Sequence, residues 1–131
     1  MLPEAQVRAS DPQRLSGTAL EAFFNLAERW RLNVKEQRRL LGEPPASTFY
    51  KWKATRQARL SRDTLERISY LLGIYKALQT LLPSSQAAET WIRRPNDAPG
   101  FNGASALDHM LGGNVADLAD VRRYLDAERG W

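Results

Sequence analysis

The segment 61–82 has the pattern of a long helix with two apolar faces, and Pro83 ends it. The first stripe consists of Leu65, Ile68, Leu72 and Tyr75, and the second of Leu71, Ile74, Leu78 and Leu81. Because a helix at the edge of a small domain buries one stripe in its own core, the second requires another surface. A partner domain or a second subunit would supply it, and we predict dimerisation through the second stripe. Two-sided packing within one monomer is the alternative, and Gly73 between the stripes indicates a bend or a close helix crossing.

Helical periodicity extends over most of the remaining chain, which predicts an all-α fold. Further helices are predicted at residues 16–30, 33–41, 46–55, 84–93, 105–111 and 114–129, and no segment shows a convincing two-residue alternation. Residues 1–15 are polar, contain two prolines and show no period, so we expect a flexible arm there. The predicted organisation is an arm at 1–15, a helical domain at 16–83 and a smaller helical domain at 84–131.

Polar residues at the predicted helix starts match capping patterns. Ser16 or Thr18 can accept hydrogen bonds from the free N–H groups at the start of the first helix. Asn33 and Glu36 have the spacing of a capping box at the start of the second. Gly42 supplies the left-handed residue that ends this second helix.

The 131-residue chain has no cysteine and one histidine, which excludes several classes of site. Without cysteine there is no disulfide framework, thiolate zinc site or cysteine nucleophile. His109 alone cannot form a multi-histidine metal site, so we predict a binding protein with no metal, no cofactor and no enzymatic activity. No apolar run approaches the roughly 18 residues of a membrane span, and the N-terminus lacks a signal-peptide pattern, so we expect a cytoplasmic location.

Positive charge is concentrated in one part of the chain. The formal net charge is +4, but residues 29–67 carry 11 basic and 4 acidic side chains, whereas residues 71–131 carry 6 and 7. A patch this local indicates a surface for a polyanion such as nucleic acid. A solvated helix face is the alternative that charge alone leaves open.

Two short predicted helices, at 33–41 and 46–55, are joined by a glycine-containing turn and form a helix-turn-helix. The second helix has Phe49 and Trp52 on its inward face and a polar outer face, as a helix that enters the major groove requires. Base contacts are predicted for Ser47, Thr48, Tyr50 and Lys51, and phosphate contacts for Arg38, Arg39, Lys53 and Arg56. An unrelated bundle with basic helices is the alternative.

The segment LGEPPASTFYKWK resembles the Leu-Gly-turn-Ser-Thr pattern of Xre/Cro-type repressors. It departs from that pattern by a longer turn, and by Arg38 where a small residue often packs. The C-terminal part is similar to the toxin-binding domain of Xre/MbcA/ParS-type antitoxins. The matching residues are Trp91, Pro95, Asn96, Phe101, Gly103, Leu107, Asp108, Gly113, Val121 and Leu125. Together the two resemblances cover residues 16–131.

This resemblance implies an antitoxin of a type II toxin–antitoxin module. Its partner would be a RES-domain toxin, an enzyme that degrades NAD⁺ or transfers ADP-ribose from it. The antitoxin would block that enzyme and repress its own operon by binding operator DNA, as a homodimer within a larger toxin–antitoxin assembly. The alternative is a helix-turn-helix regulator whose C-terminal domain only mediates dimerisation or another protein contact.

Arginine and aromatic side chains near the C-terminus form the predicted toxin contact. The residues are Asn96, Arg122, Arg123, Tyr124, Arg129 and Trp131. Such side chains are typical anchors of protein interfaces. The alternative is that Tyr124 and Trp131 fold back onto their own domain, while the arginines pair with carboxylates on the same helix.

Overall fold

The computed structural model describes residues 12–129, which form seven α-helices and one short 3-10 helix. The α-helices are α1 (Pro12–Arg29), α2 (Val34–Leu40), α3 (Ala46–Thr55), α4 (Arg62–Leu81), α5 (Ser85–Thr90), α6 (Ala106–Met110) and α7 (Val115–Glu128). The 3-10 helix, Trp91–Arg93, follows α5 directly. The described residues contain no strand, only an isolated antiparallel bridge between Pro95 and Ser105. The all-α prediction is confirmed.

Helix α1 begins at Pro12, within the segment predicted to be an arm. Proline suits a first helical turn because the N–H that it lacks would have no intrahelical partner there. The arm prediction is therefore wrong for residues 12–15, and its remainder, 1–11, lies outside the described residues. Ser16 does not cap this helix, because it lies within the helix and not at its start. Its side chain is fully buried, and its Oγ accepts a hydrogen bond from Leu60 N at 2.9 Å. Thr18 is likewise an interior residue of the helix, on its exposed side.

The helix-turn-helix consists of α2, α3 and the turn between them. The Asn33–Glu36 capping box is formed, with Glu36 N donating to Asn33 Oδ1 at 2.7 Å and Asn33 N donating to Glu36 Oε1 at 2.9 Å. In the turn, Gly42 has φ +91° and Glu43 has φ +59°, so the chain reverses through two left-handed residues. Phe49 anchors α3 in the core, since its side chain is fully buried.

Helix α4 runs through the centre of the molecule and contacts both α1 and α7. Leu71, Ile74 and Leu78 are at most 1% exposed, because the chain's own helices cover them. Their predicted role in dimerisation is therefore wrong, and the alternative of two-sided packing within the monomer is correct. Leu81 is half-buried and lines a cavity of about 200 Å³ together with Trp91 and Tyr124, so it also faces this chain.

The core is continuous across the boundary predicted at Pro83. One cluster of buried apolar side chains extends from α1 through α4 to α7, and it includes Phe23, Ile74 and Val121. Gly73 marks a close crossing, because a Cβ at that position would collide with the guanidinium of Arg122 on α7. Among the described residues, no helix combines the length and the apolar character needed to cross a membrane.

Candidate functional site

Helix α3 presents a polar outer face as the sequence predicted. Ser47, Tyr50 and Lys51 are exposed and Thr48 is half-buried, while Phe49 lies on the inner face. Tyr50 is 53% exposed and its ring lies edge-on against Phe49, with centroids 5.4 Å apart. The surface therefore carries hydroxyl groups and one ammonium group, the kind of donors that read base edges, and the base contacts stay a prediction.

Of the four residues predicted to contact phosphates, Lys53 is the most exposed, and like Lys51 it forms no ion pair within residues 12–129. Arg38 Nε donates to Pro44 O at 3.1 Å, which ties α2 to the turn. Arg56 Nε donates to Glu21 Oε2 at 3.2 Å, and its guanidinium lies 4.4 Å from the centroid of Phe24. Arg38 thus has a structural role in the turn before α3, and Arg56 has one at the C-terminal end of α3.

Arg39 makes the most hydrogen bonds among these four residues. Its Nε donates to Leu111 O and its Nη2 to Gly112 O, both at 2.9 Å, and its Nη1 donates to Glu43 Oε1 at 2.9 Å. Three of its five N–H donors are engaged within the chain, and the phosphate contact of Arg39 stays a prediction. Its side chain joins α2 to the turn before α7.

The C-terminal half contains a cavity of about 450 Å³ with aromatic and charged walls. It is lined by Pro99, Gly100, Phe101, His109, Asp120, Arg123 and Tyr124. Tyr124 packs edge-on against Phe101, with centroids 5.2 Å apart, and stacks on Trp91 at 6.2 Å. Through Tyr124, the contacts of this aromatic cluster attach α7 to Trp91 and to the loop that contains Phe101.

Among the described residues of the predicted toxin contact, Arg123 has the most accessible side chain. It is 75% exposed, and its Nη2 lies 3.5 Å from Asp120 Oδ1, a long contact that solvent screens. Arg122 lies over Gly73 and its Nε donates to Asp126 Oδ2 at 3.1 Å. Tyr124 folds into the aromatic cluster, so the fold-back alternative describes Arg122 and Tyr124 correctly.

Of the remaining residues of the predicted toxin contact, Asn96 and Arg129 are not among the described residues that line the cavity beside Arg123. Asn96 is half-buried in the 94–104 loop, where its Oδ1 accepts from Ala98 N at 2.9 Å and shapes a turn. Arg129 is the C-cap residue of α7 and is half-buried. Trp131 lies outside the described residues.

His109, Asp117 and Asp120 bring three potential metal-ligand atoms within 4.8 Å of one another. Each carboxylate already has a partner: Asp117 Oδ2 accepts from Asn114 N at 3.0 Å, and Asp120 Oδ2 lies 3.0 Å from His109 Nε2. These bonds cap α7 and join it to α6. The arrangement is explained by helix capping and packing, and the absence of a metal site stays a prediction.

Two arginines that the sequence did not single out connect the halves of the molecule. Arg67 is 9% exposed and its Nη1 donates to Gly113 O at 2.9 Å. Arg93 Nη2 donates to Trp30 O and Arg31 O, each at 2.9 Å. Because backbone carbonyls occur at every position, no sequence pattern identifies these acceptors.

Comparison with known proteins finds matches to two antitoxin family models. Residues 10–73 match the family model of the antitoxin Xre-like helix-turn-helix domain. Residues 77–130 match that of the antitoxin Xre/MbcA/ParS C-terminal toxin-binding domain. The uncharacterized protein y4oB of Sinorhizobium fredii (strain NBRC 101917 / NGR234) is 52% identical over 127 residues, which are 95% of this chain and 96% of that relative.

Proposed function

The chain belongs to the Xre-type antitoxins, which pair a helix-turn-helix domain with an Xre/MbcA/ParS toxin-binding domain, and we propose that it inhibits a RES-domain toxin and represses its own operon. A toxin partner and DNA follow from the two domains, and these families are regulators, not enzymes. The proposal adds the class of toxin, the repression of its own operon, and a homodimer within the toxin–antitoxin complex.

The observation that carries the proposal is the order of the two domains on one continuous core. The helix-turn-helix match contains α3 with its polar face, and the toxin-binding match contains α7 with the exposed Arg123. Support for a RES-domain partner comes from the resemblance of the C-terminal segment to the Xre/MbcA/ParS group. Support for operator binding comes from the exposed Lys51 and Lys53 within the basic stretch 29–67.

We expect Lys51→Glu and Arg123→Glu to separate the two activities. Lys51→Glu removes a cation from the polar outer face of α3, so operator affinity should fall by about 1–3 kcal/mol, roughly 5- to 150-fold, while toxin inhibition is retained. Arg123→Glu should weaken toxin binding by about 1–2 kcal/mol and leave operator affinity unchanged. Lys76→Glu, an equal change of charge at an exposed position of α4, is the control for both.

The assays use the full chain and the product of the neighbouring gene, which the proposal requires to be a RES-domain protein. Operator affinity is measured by fluorescence anisotropy on the DNA upstream of the operon, and inhibition by rescue of growth and of cellular NAD⁺ in cells that express the partner. Mass measurement of the purified complex tests the homodimer. A chain that binds DNA but neither binds nor inhibits the partner would establish the alternative, a regulator whose C-terminal domain serves another contact.

A further inference from the structure

The loop at residues 94–104 carries the only Asn-Gly pair in the sequence, Asn102-Gly103, where the chain reverses its direction. Asn102 has φ +54° and Gly103 has φ +82°, and Ala104 N donates to Phe101 O at 2.9 Å across them. Positive φ at both central residues is the pattern of a type I′ turn, in which Asn-Gly is a favoured pair. The turn therefore explains why these two residue types stand here.

The same pair is chemically labile, because glycine has no side chain to keep its backbone nitrogen away from the amide of the preceding asparagine. Asn102 and Gly103 are both exposed, and a Cβ placed on Gly103 would meet no atom within 4 Å. Water therefore reaches the pair, and the neighbouring residues leave room for a ring to form. The other four asparagines are followed by residues whose side chains hinder such an attack, namely Leu26, Val34, Asp97 and Val115.

We propose that Asn102 is a site of spontaneous deamidation, at which this asparagine converts to aspartate and isoaspartate as the protein ages. The backbone nitrogen of Gly103 gives up its proton to solvent and bonds to Cγ of Asn102. The bond between Cγ and Nδ2 breaks, and Nδ2 takes up a proton and leaves as ammonia. Water then opens the cyclic imide: cleavage between the ring nitrogen and Cγ gives aspartate, and cleavage between that nitrogen and the backbone carbonyl carbon gives isoaspartate.

The folded turn slows this reaction without preventing it. Gly103 N donates to Asn96 O at 3.0 Å, so the proton that must leave is held in a hydrogen bond. A loop on the surface that is held by a few backbone hydrogen bonds opens locally at a much lower cost in free energy than global unfolding. The rate of conversion at Asn102 therefore reports how often the loop opens.

Isoaspartate at position 102 would disturb one wall of the cavity of about 450 Å³. It adds a methylene to the backbone and leaves a carboxylate as the side group, which the tight geometry of the turn does not accommodate. Phe101, the preceding residue, is 6% exposed and lies edge-on to Tyr124 at 5.2 Å and to His109 at 5.6 Å. Displacement of Phe101 loosens these contacts with α6 and α7. The consequence, which rests on the proposed function, is that an aged chain inhibits its partner less.

Peptide mapping of the full chain after storage in warm buffer tests the modification, with an isoaspartate-specific methyltransferase as the label. We expect Asn102 to convert about tenfold faster than any other asparagine, and about tenfold faster again in unfolding urea, where the turn is open. Asn102→Gln should abolish the label, since the longer amide closes a ring far more slowly. Asn25→Gln, at an exposed position of α1, is the control and should keep it. Conversion at Asn102 that is no faster than elsewhere, or that occurs only in urea, would overturn the proposal.

A second measurement compares the affinity of fresh and aged chain for the RES-domain partner. The aged natural chain, once its isoaspartate content is complete, should bind about tenfold more weakly, whereas aged Asn102→Gln should match its own fresh sample within about twofold. An aged natural chain that binds as tightly as the fresh one would refute the effect on inhibition. A fresh natural chain that does not bind the partner would refute the proposed function instead, and the peptide map would still decide whether Asn102 converts.

Discussion

Shortening Ile74 to alanine tests whether the second apolar face of α4 belongs to the monomer core. The Ile74 side chain is fully buried, and α4 contacts both α1 and α7. Ile74→Ala removes three carbon atoms at about 0.8 kcal/mol each. The cavity that remains adds a further cost, so the free energy of unfolding should fall by about 3–4 kcal/mol.

This loss should be visible in the melting temperature. For a chain of this length, 1 kcal/mol corresponds to roughly 3–5 °C, so Tm should fall by about 9–20 °C. Circular dichroism at two protein concentrations measures Tm, and light scattering measures the mass in solution. Leu15→Ala is the matched control, because Leu15 is 48% exposed and its truncation should cost within about 0.5 kcal/mol.

The opposite result would restore the dimer hypothesis for this stripe. If Ile74→Ala kept its Tm within about 3 °C of the natural chain and converted a dimer to a monomer, then Ile74 would face a second subunit.

A single unfolding transition is expected for both halves, because one apolar cluster extends from α1 to α7. Two separated transitions would contradict that continuous core.

Two further substitutions test local features of the fold. In the natural chain, Gly73→Ala should leave the free energy of unfolding nearly unchanged, because a gain in helix propensity of about 1 kcal/mol is offset by the displacement of Arg122. In an Arg122→Ala background there is no guanidinium to displace, so the same substitution should stabilise the protein by about 1 kcal/mol. Equal effects in both backgrounds, measured by urea unfolding, would show that the two residues do not meet. Ser16→Ala should cost about 1–3 kcal/mol because the buried N–H of Leu60 loses its acceptor, while Thr18→Ala should change the free energy of unfolding by less than about 0.5 kcal/mol. A larger loss in Thr18→Ala than in Ser16→Ala would support the capping role predicted from sequence.

The all-α architecture was readable from the sequence because its signals are local. The Asn33–Glu36 capping box, the turn at Gly42 and the inward position of Phe49 each depend on residues within a few positions of one another. A capping bond joins positions three apart, and an apolar stripe follows the helical repeat. Ser16 shows where such reasoning fails: its hydroxyl is used by the distant Leu60 rather than by its own helix.

The sequence by itself therefore determined the helices, their order and the outward face of α3, since hydrogen bonds and periodicity within a helix depend on near neighbours. Only the tertiary structure decided what covers the second face of α4 and which arginines are available for a ligand. Arg39 and Lys53 are both cations of the same basic stretch, yet Arg39 bonds to carbonyls of Leu111 and Gly112 while Lys53 is exposed. The physical reason is that these acceptors are backbone oxygens about seventy residues away, and a guanidinium reaches them only after the chain has packed.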